Sequence, residues 1–355
     1  MTPGNKIRVL IVDDSLVARE MLAQILATDE GIEIAGMARD GSEAVDAAAN
    51  LKPDLITMDI HMPKMDGLIA TERIMAYTPT PILVVSSSVY GEGIGRAFDA
   101  LEMGALEVIK KPEPRDWADL EHIGKEIIKR VRVLSQVRVI THIRGRRPRV
   151  SSTEAPREHR SSAGARSIVA IGSSTGGPSA LLAILGRLQS TFPVPTVIAQ
   201  HIAEGFVPGL VSWLDSGCQI SVKLAMDGQD VRPGTAYLAS TGSNLVMDGS
   251  VMRFEEPLTG ELYIPSADTL FHSVARCYRS RAVGVILTGM GADGSRGLKA
   301  MSENGAVTIA QDEETSTVYG MPKAAVENGA VQHVVAIHEI ADEVERFVLG
   351  EDAEE

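Results

Sequence analysis

A chain of 355 residues exceeds what one ordinary core organises, roughly 100 to 200 residues, so two domains are expected. Hydrophobic residues at 44% and charged residues at 23% exclude a chain too polar to fold, and a net charge of −13 weighs against broad nucleic-acid binding, which needs a positive face to displace counterions. No apolar run approaches the roughly 20 residues that span a bilayer and the N-terminus lacks the order of a signal peptide, so a cytoplasmic protein without membrane insertion is expected. Cys218 and Cys277 lie far apart without metal-ligand spacing and read as small buried hydrophobes in a reducing compartment.

From Ile7 onward, short apolar runs alternate with amphipathic stretches: VLIVDD, a helix pattern over Arg19 to Ala27, IEIAGMA, a helix from Ser42, DLITMDI, a helix from Leu68, PILVVSSS, a helix from Gly93, and ALEVIKKP. A final helix over Asp119 to Val137 has apolar positions at helical spacing. Five strands alternating with helices predict a parallel sheet covered on both faces, an α/β domain over residues 1–139. Residues 140–166 lose all apolar periodicity and fill with Arg, Ser, Pro and Gly, which predicts a basic linker; the other reading is a patch recruiting DNA or an acidic membrane. Alternation resumes at Ser167 with SIVAIG, a helix over Ser179 to Leu188, TVIAQH, AVGVILTG and AVTIAQD, predicting a second α/β domain over 167–350.

In an open parallel sheet, ligands sit beyond the carboxyl ends of the strands. In the first domain those ends carry Asp13 and Asp14, Asp59, Ser86, and Lys111 followed by Pro112. Clustered carboxylates are costly unless a hard divalent cation neutralises them, so Asp13, Asp14 and Asp59 predict a Mg2+ site. With metal and Lys111 absorbing phosphoryl charge, Asp59 can act as a nucleophile and form an aspartyl-phosphate. The bland alternative is that Asp13 and Asp14 cap the following helix.

In the second domain, SIVAIG leads into Gly172-Ser173-Ser174-Thr175-Gly176-Gly177-Pro178 and a helix pattern, a G-x-S-x-G in strand-turn-helix context that makes Ser174 a candidate nucleophile. A phosphate-binding glycine loop is the alternative, although a dinucleotide fingerprint would need glycine at position 174. His201 closes the strand TVIAQH and is the candidate base, or else a satisfied core histidine. AVGVILT runs into Gly289-Met290-Gly291-Ala292-Asp293, delivering a carboxylate that can orient an imidazole.

VLIVDDS, MDIHMPKMDG, VVSSS and KKP resemble the motifs of bacterial response-regulator receiver domains over about Lys6 to Arg130. The resemblance implies a flavodoxin-like fold with Asp59 as phosphoacceptor, Ser86 as switch hydroxyl and Lys111 bonding the phosphoryl group; Val108 departs from the aromatic residue usual three positions before the lysine. The chain order Ser, His, Asp differs from that of the α/β-hydrolases. With IGSSTGGP, QHIAEGF, CQISVKLAMDGQDVRPGTAY, GVILTGMGADGSRGL and TIAQDEETSTVYGMPKAA, it resembles the chemotaxis protein-glutamate methylesterases of the CheB family over essentially the whole chain. That resemblance implies phosphorylation-activated hydrolysis of glutamate methyl esters on methyl-accepting chemoreceptors, deamidation of receptor glutamines, and a chemotaxis histidine kinase as phosphodonor. It assigns Ser174 as nucleophile, His201 as base, Asp293 as orienter and the backbone amides of Thr175 and Met290 as oxyanion donors, with no cofactor for ester hydrolysis. Asn244 and Tyr263 stand where that family usually has histidines. Two competing readings are a DNA-binding response regulator and a catalytically silent adaptor that only competes for phosphate.

Overall fold

The computed structural model describes residues 6–87, 92–114, 117–139 and 166–350, and the chain divides into two compact units, Met1–Ser151 and Ser152–Glu355. The expected linker, 140–166, lies outside the described residues except for Arg166. That residue joins the second unit, its guanidinium donating to the Ser280 carbonyl.

In the first unit the elements are β1 (Ile7–Val12), α1 (Leu16–Ala27), β2 (Ile32–Ala38), α2 (Gly41–Leu51), β3 (Leu55–Met58), α3 (Gly67–Tyr77), β4 (Ile82–Ser86), α4 (Glu92–Glu102), β5 (Glu107–Lys110) and α5 (Trp117–Leu134). The strands form the parallel sheet that the alternation predicts, in the order β2-β1-β3-β4-β5, the flavodoxin-like arrangement that the receiver resemblance implies. Every residue of β3 and β4 is buried, as expected of central strands covered on both faces. Helix α1 begins three residues before the apolar pattern does. Its cap is Ser15, whose hydroxyl accepts from the Ala18 amide, so capping does not account for Asp13 and Asp14.

The second unit runs β6 (Ile168–Ser173), α6 (Gly177–Leu185), β7 (Thr196–Gln200), α7 (Val207–Gly217), β8 (Ser221–Leu224), β9 (Thr235–Leu238), β10 (Asn244–Asp248), β11 (Val251–Glu255), α8 (Ala267–Tyr278), β12 (Ala282–Ile286), α9 (Ser295–Glu303), β13 (Val307–Gln311), α10 (Met321–Glu327), β14 (His333–Val335) and α11 (Ile337–Leu349). Its seven-stranded sheet has the order β14-β13-β12-β6-β7-β9-β8, with every pairing parallel. The chain enters at the centre on β6, builds outward through β7, then returns to the other side of β6 with β12. That reversal makes the β6 edge the switch point at which α/β sheets hold ligands.

Sequence patterning marks β6, β7, β12 and β13, all fully buried. It misses β8, β9 and β14, which are three or four residues long, and the antiparallel pair β10 and β11. Asp248 and Gly249 at that hairpin's turn are the signal that could have revealed it. Helix α8 packs Ala267, Leu270, Phe271, Val274, Ala275 and Tyr278 into the core at i, i+3, i+4 spacing. Burial of each large apolar side chain contributes about 1.5–3 kcal/mol, enough to fix where the helix N-terminus points. Cys218 and Cys277 are free thiols and half-buried, where full burial was expected, because each sits near the end of a helix. Burial pushes the Cys218 thiol up to about 12, which disfavours the thiolate form.

Candidate active site

Two clusters of polar side chains occupy the carboxyl ends of the two sheets. In the first unit, Asp13 follows β1 and Asp59 follows β3, both buried, while Asp14 is exposed. Carboxylate oxygens of Asp13, Asp14 and Asp59 all lie within 4.8 Å of one another. Lys111, just past β5, reaches them with Nζ 2.7 Å from Asp13 Oδ2 and 3.0 Å from Asp59 Oδ2. Burial works against its ammonium, yet the two carboxylates outweigh that and hold the lysine above its ordinary range. Burial raises the Asp59 carboxyl above the usual carboxylate value despite Lys111. Three carboxylates facing one ammonium leave an excess of negative charge that a divalent oxygen-seeking cation fits. Ser86 ends β4 fully buried, and its carbonyl accepts from the Lys111 amide at 2.9 Å, tying the tips of β4 and β5 together. Val108 lies buried within β5.

In the second unit, strand register decides what meets. The last pair of β6 and β7 is Ser173 with Gln200, so Ser174 and His201 are the next residues out on adjacent strands, and the His201 amide donates to the Ser173 carbonyl at 2.9 Å. Neighbouring strands are about 4.8 Å apart, so the backbones of Ser174 and His201 leave the sheet side by side. On the other side, the Ser174 amide donates to the Thr288 carbonyl at 3.0 Å. Gly289 follows, and a side chain there would lie 2.6 Å from Ser174 Cβ. Only glycine lets the 289–290 backbone approach the serine so closely. Thr175 and Met290 are both buried on the two flanks of Ser174.

The imidazole and Asp293 are joined directly. His201 Nε2 is 2.8 Å from Asp293 Oδ2, with the Asp293 side chain buried and that of His201 mostly so. The other ring nitrogen, Nδ1, is buried and has no partner among the described residues. The aspartate is held by more than the histidine. Oδ2 also accepts from the Ala267 amide at 2.7 Å, and Oδ1 accepts from the Asp268 amide at 3.0 Å and the Ser266 hydroxyl at 3.1 Å. Asp293 therefore sits on the N-terminus of α8, where free amides and the helix dipole favour an anion. Burial alone would raise its carboxyl, but bonds from His201, Asp268 and Ala267 outweigh this and hold it below the usual range.

Sequence reading missed several supporting residues. Gln200 is buried, and its amide donates to the carbonyls of Ser174 at 2.9 Å and His201 at 2.7 Å while its oxygen accepts from Ser173 Oγ at 2.6 Å, so it staples the two loops. Thr288 Oγ1 donates to the Thr175 carbonyl at 2.9 Å. Ser266 was legible as a helix start, since it precedes an apolar run, but nothing local aimed that helix at Asp293. His272 lies within α8 and bonds the Asp268 carbonyl through Nδ1 at 2.7 Å, as a helical residue.

Comparison with known proteins places these clusters in context. The family profile described as "CheB methylesterase" matches residues 169–344, and that described as "Response regulator receiver domain" matches residues 9–120. The chain is similar to "Protein-glutamate methylesterase/protein-glutamine glutaminase 2" of Anaeromyxobacter dehalogenans, 44% identical over 94% of this chain and 95% of that protein. It is likewise similar to "Protein-glutamate methylesterase/protein-glutamine glutaminase 1" of Syntrophus aciditrophicus, 42% identical over 94% and 96%. Among solved structures, the CheB methylesterase catalytic domain of Thermotoga maritima is 36% identical, covering 52% of this chain and 100% of that one, with a TM-score of 0.49.

Proposed function

This chain belongs to the CheB family of protein-glutamate methylesterases and protein-glutamine glutaminases, with a response-regulator receiver ahead of the catalytic domain, and on that premise we propose how its residues divide the work. Ser174 Oγ attacks the carbonyl of a glutamate γ-methyl ester on a methyl-accepting chemoreceptor, passing its proton to His201 Nδ1. The amides of Thr175 and Met290 take the oxyanion. Collapse of the tetrahedral intermediate breaks the ester C–O bond, and His201 returns the proton to the departing methoxide as methanol leaves. Water then attacks the acyl-enzyme with the same histidine as base and frees glutamate. A glutamine side chain follows the same path with ammonia leaving. The observation that carries this is the short bond from His201 Nε2 to the buried, helix-anchored Asp293, which keeps the proton on Nε2 and leaves Nδ1 as acceptor on the ring's other side.

The receiver supplies control. A chemotaxis histidine kinase is the phosphodonor and Asp59 the acceptor; Asp13, Asp14 and Asp59 would hold Mg2+, which offsets phosphoryl charge when bound, and Lys111 and Ser86 contact the phosphorylated aspartate. Among the described residues no helix is long and apolar enough to cross a membrane, and the cytoplasm is where this protein would meet both kinase and receptor. The net charge of −13 gives no support to the DNA-binding reading. Methanol release from methylated receptor membranes, with and without a small phosphodonor, tests the assignment. A protein that takes up phosphate but releases no methanol would be the silent adaptor instead.

Two outcomes bear on regulation. Asp59→Asn is expected to abolish stimulation by the phosphodonor while leaving basal hydrolysis unchanged, because it deletes the phosphoacceptor and not the serine. Chelating Mg2+ should block phosphorylation of the native protein equally, and persistent stimulation of the Asp59→Asn protein would sink the switch. The second outcome follows from the sequence of residues 140–166, which has no periodicity able to transmit a rigid push. The unphosphorylated receiver should therefore act by restraining the catalytic domain, through a shift of populations no larger than the phosphate's differential stabilisation of the two states. Deleting Met1 through Arg160 is then expected to raise basal methanol release and make it indifferent to phosphodonor. A truncated enzyme at or below the basal rate of the full chain would show that the receiver activates by new contacts instead.

A further inference from the structure

Two residues to which the proposed mechanism gives no part, Asn244 and Tyr263, support the catalytic imidazole, Tyr263 directly and Asn244 through the loop around it. The Tyr263 ring lies stacked on His201, with centroids 4.7 Å apart and planes 8° from parallel. Its phenol also crosses the turn that delivers Asp293: a side chain at Gly291, where φ is +90°, would come within 2.6 Å of the Tyr263 hydroxyl. Asn244 is buried at the start of β10 and acts on both sides of Tyr263. Its Nδ2 donates to Glu261 Oε2 at 2.8 Å, and its Oδ1 accepts from the Ser266 amide at 2.7 Å. Glu261 in turn accepts from the Leu258 amide at 3.0 Å, so Asn244 clamps the loop on either side of the tyrosine, between β11 and α8.

A hydrogen bond at Nε2 fixes one point of the imidazole but leaves the ring free to turn about that bond. A flat partner on its face removes that freedom. We propose that Tyr263 is a positioning residue for His201, holding the plane of the ring so that Nδ1 stays directed at Ser174, and that Asn244 holds the loop that presents Tyr263. The effect belongs to the transition state more than to the ground state. When the imidazole takes the serine proton it becomes a cation, and a π face within about 6 Å stabilises a cation more than a neutral ring. An interaction of that kind appears in kcat and leaves KM largely alone.

The inference rests on His201 being the base, so the experiment separates the two claims. In the full-length phosphorylated protein, Tyr263→Leu is expected to lower kcat for methanol release about ten-fold, with KM within about two-fold of the native value and the thermal midpoint of the catalytic domain retained. Tyr263→Phe, which keeps the ring, should restore kcat to within about three-fold of native. Asn244→Ala should lower kcat in the same sense, and adding it to Tyr263→Leu should cost little more, since both act through one contact. A readout independent of activity is the NMR signal of the His201 ring protons: the stacked ring shifts them upfield in native and Tyr263→Phe protein, and the shift should vanish in Tyr263→Leu. Native kcat in Tyr263→Leu, a loss confined to KM, or a Phe variant as impaired as the Leu variant would each overturn the proposal. If His201→Ala kept native methanol release, the base assignment itself would fail and take the positioning role with it, whatever the stack showed by NMR.

Discussion

Replacement of Ser174 by alanine is expected to lower methanol release by a factor on the order of 10⁶, the scale seen when a triad nucleophile is removed from a serine hydrolase. The substitution removes one hydroxyl. Neither the bond from the Ser174 amide to Thr288 nor that from Gln200 to the Ser174 carbonyl involves the side chain, so strand register and the loop staple survive. The thermal midpoint should be unchanged, and because Asp59 and Lys111 belong to a separate compact unit, phosphodonor uptake should be unchanged as well. Assaying methanol release and phosphorylation on the same preparation distinguishes a chemical defect from a folding one. Near-native methanol release from Ser174→Ala would mean that another group attacks the ester.

Asp293→Asn is expected to cost about 10⁴ in kcat, the loss known for the same change in a serine protease. All four bonds into this carboxylate come from donors: His201, Ser266 and the amides of Ala267 and Asp268. An amide NH2 at either oxygen position would face N–H or O–H groups. If it faces His201, the ring must present Nε2 as acceptor and carry its proton on Nδ1, where it can no longer accept from serine. If it faces Asp268 and Ser266, α8 loses part of its anchor, at about 1–3 kcal/mol of stability. The substitution should therefore lower both kcat and thermal midpoint. The stability deficit has a definite pH dependence, since bonding holds the native carboxyl below its ordinary value. A group depressed on folding stabilises fully above its unfolded pKa, about 3.9, and loses that contribution as pH falls through the folded value. Melting curves of native and Asp293→Asn protein should thus converge as pH is lowered below about 4. A kcat within ten-fold of native, or a stability gap that widens in acid, would count against the carboxylate as orienter.

Local pattern made the alternation of strands and helices visible, because buried parallel strands are nearly continuous apolar runs. From that alternation and the rule that chemistry gathers at strand ends, Asp13, Asp59, Lys111, Ser174, His201 and Asp293 stand out as candidates with no coordinates, since each of the first five directly follows such a run and Asp293 lies in the glycine-rich turn after one. What a single strand cannot encode is its neighbour. That β12 lies beside β6, and that Ser173 and Gln200, the residues before Ser174 and His201, pair across β6 and β7, depend on the order in which strands pair. The N-terminus of α8 reaches Asp293 because Leu270, Phe271 and Val274 seat that helix in the core. The sequence by itself thus determined the two-domain α/β plan and the chemical groups available, because these depend on periodicity and residue type within a dozen neighbours. Tertiary structure alone decided that Asp293 is clasped by helix amides, that Gln200 staples the loops, and that Tyr263 lies flat on the imidazole. Each of those contacts joins residues far apart in the chain, and only the packing of the shared core sets their separation.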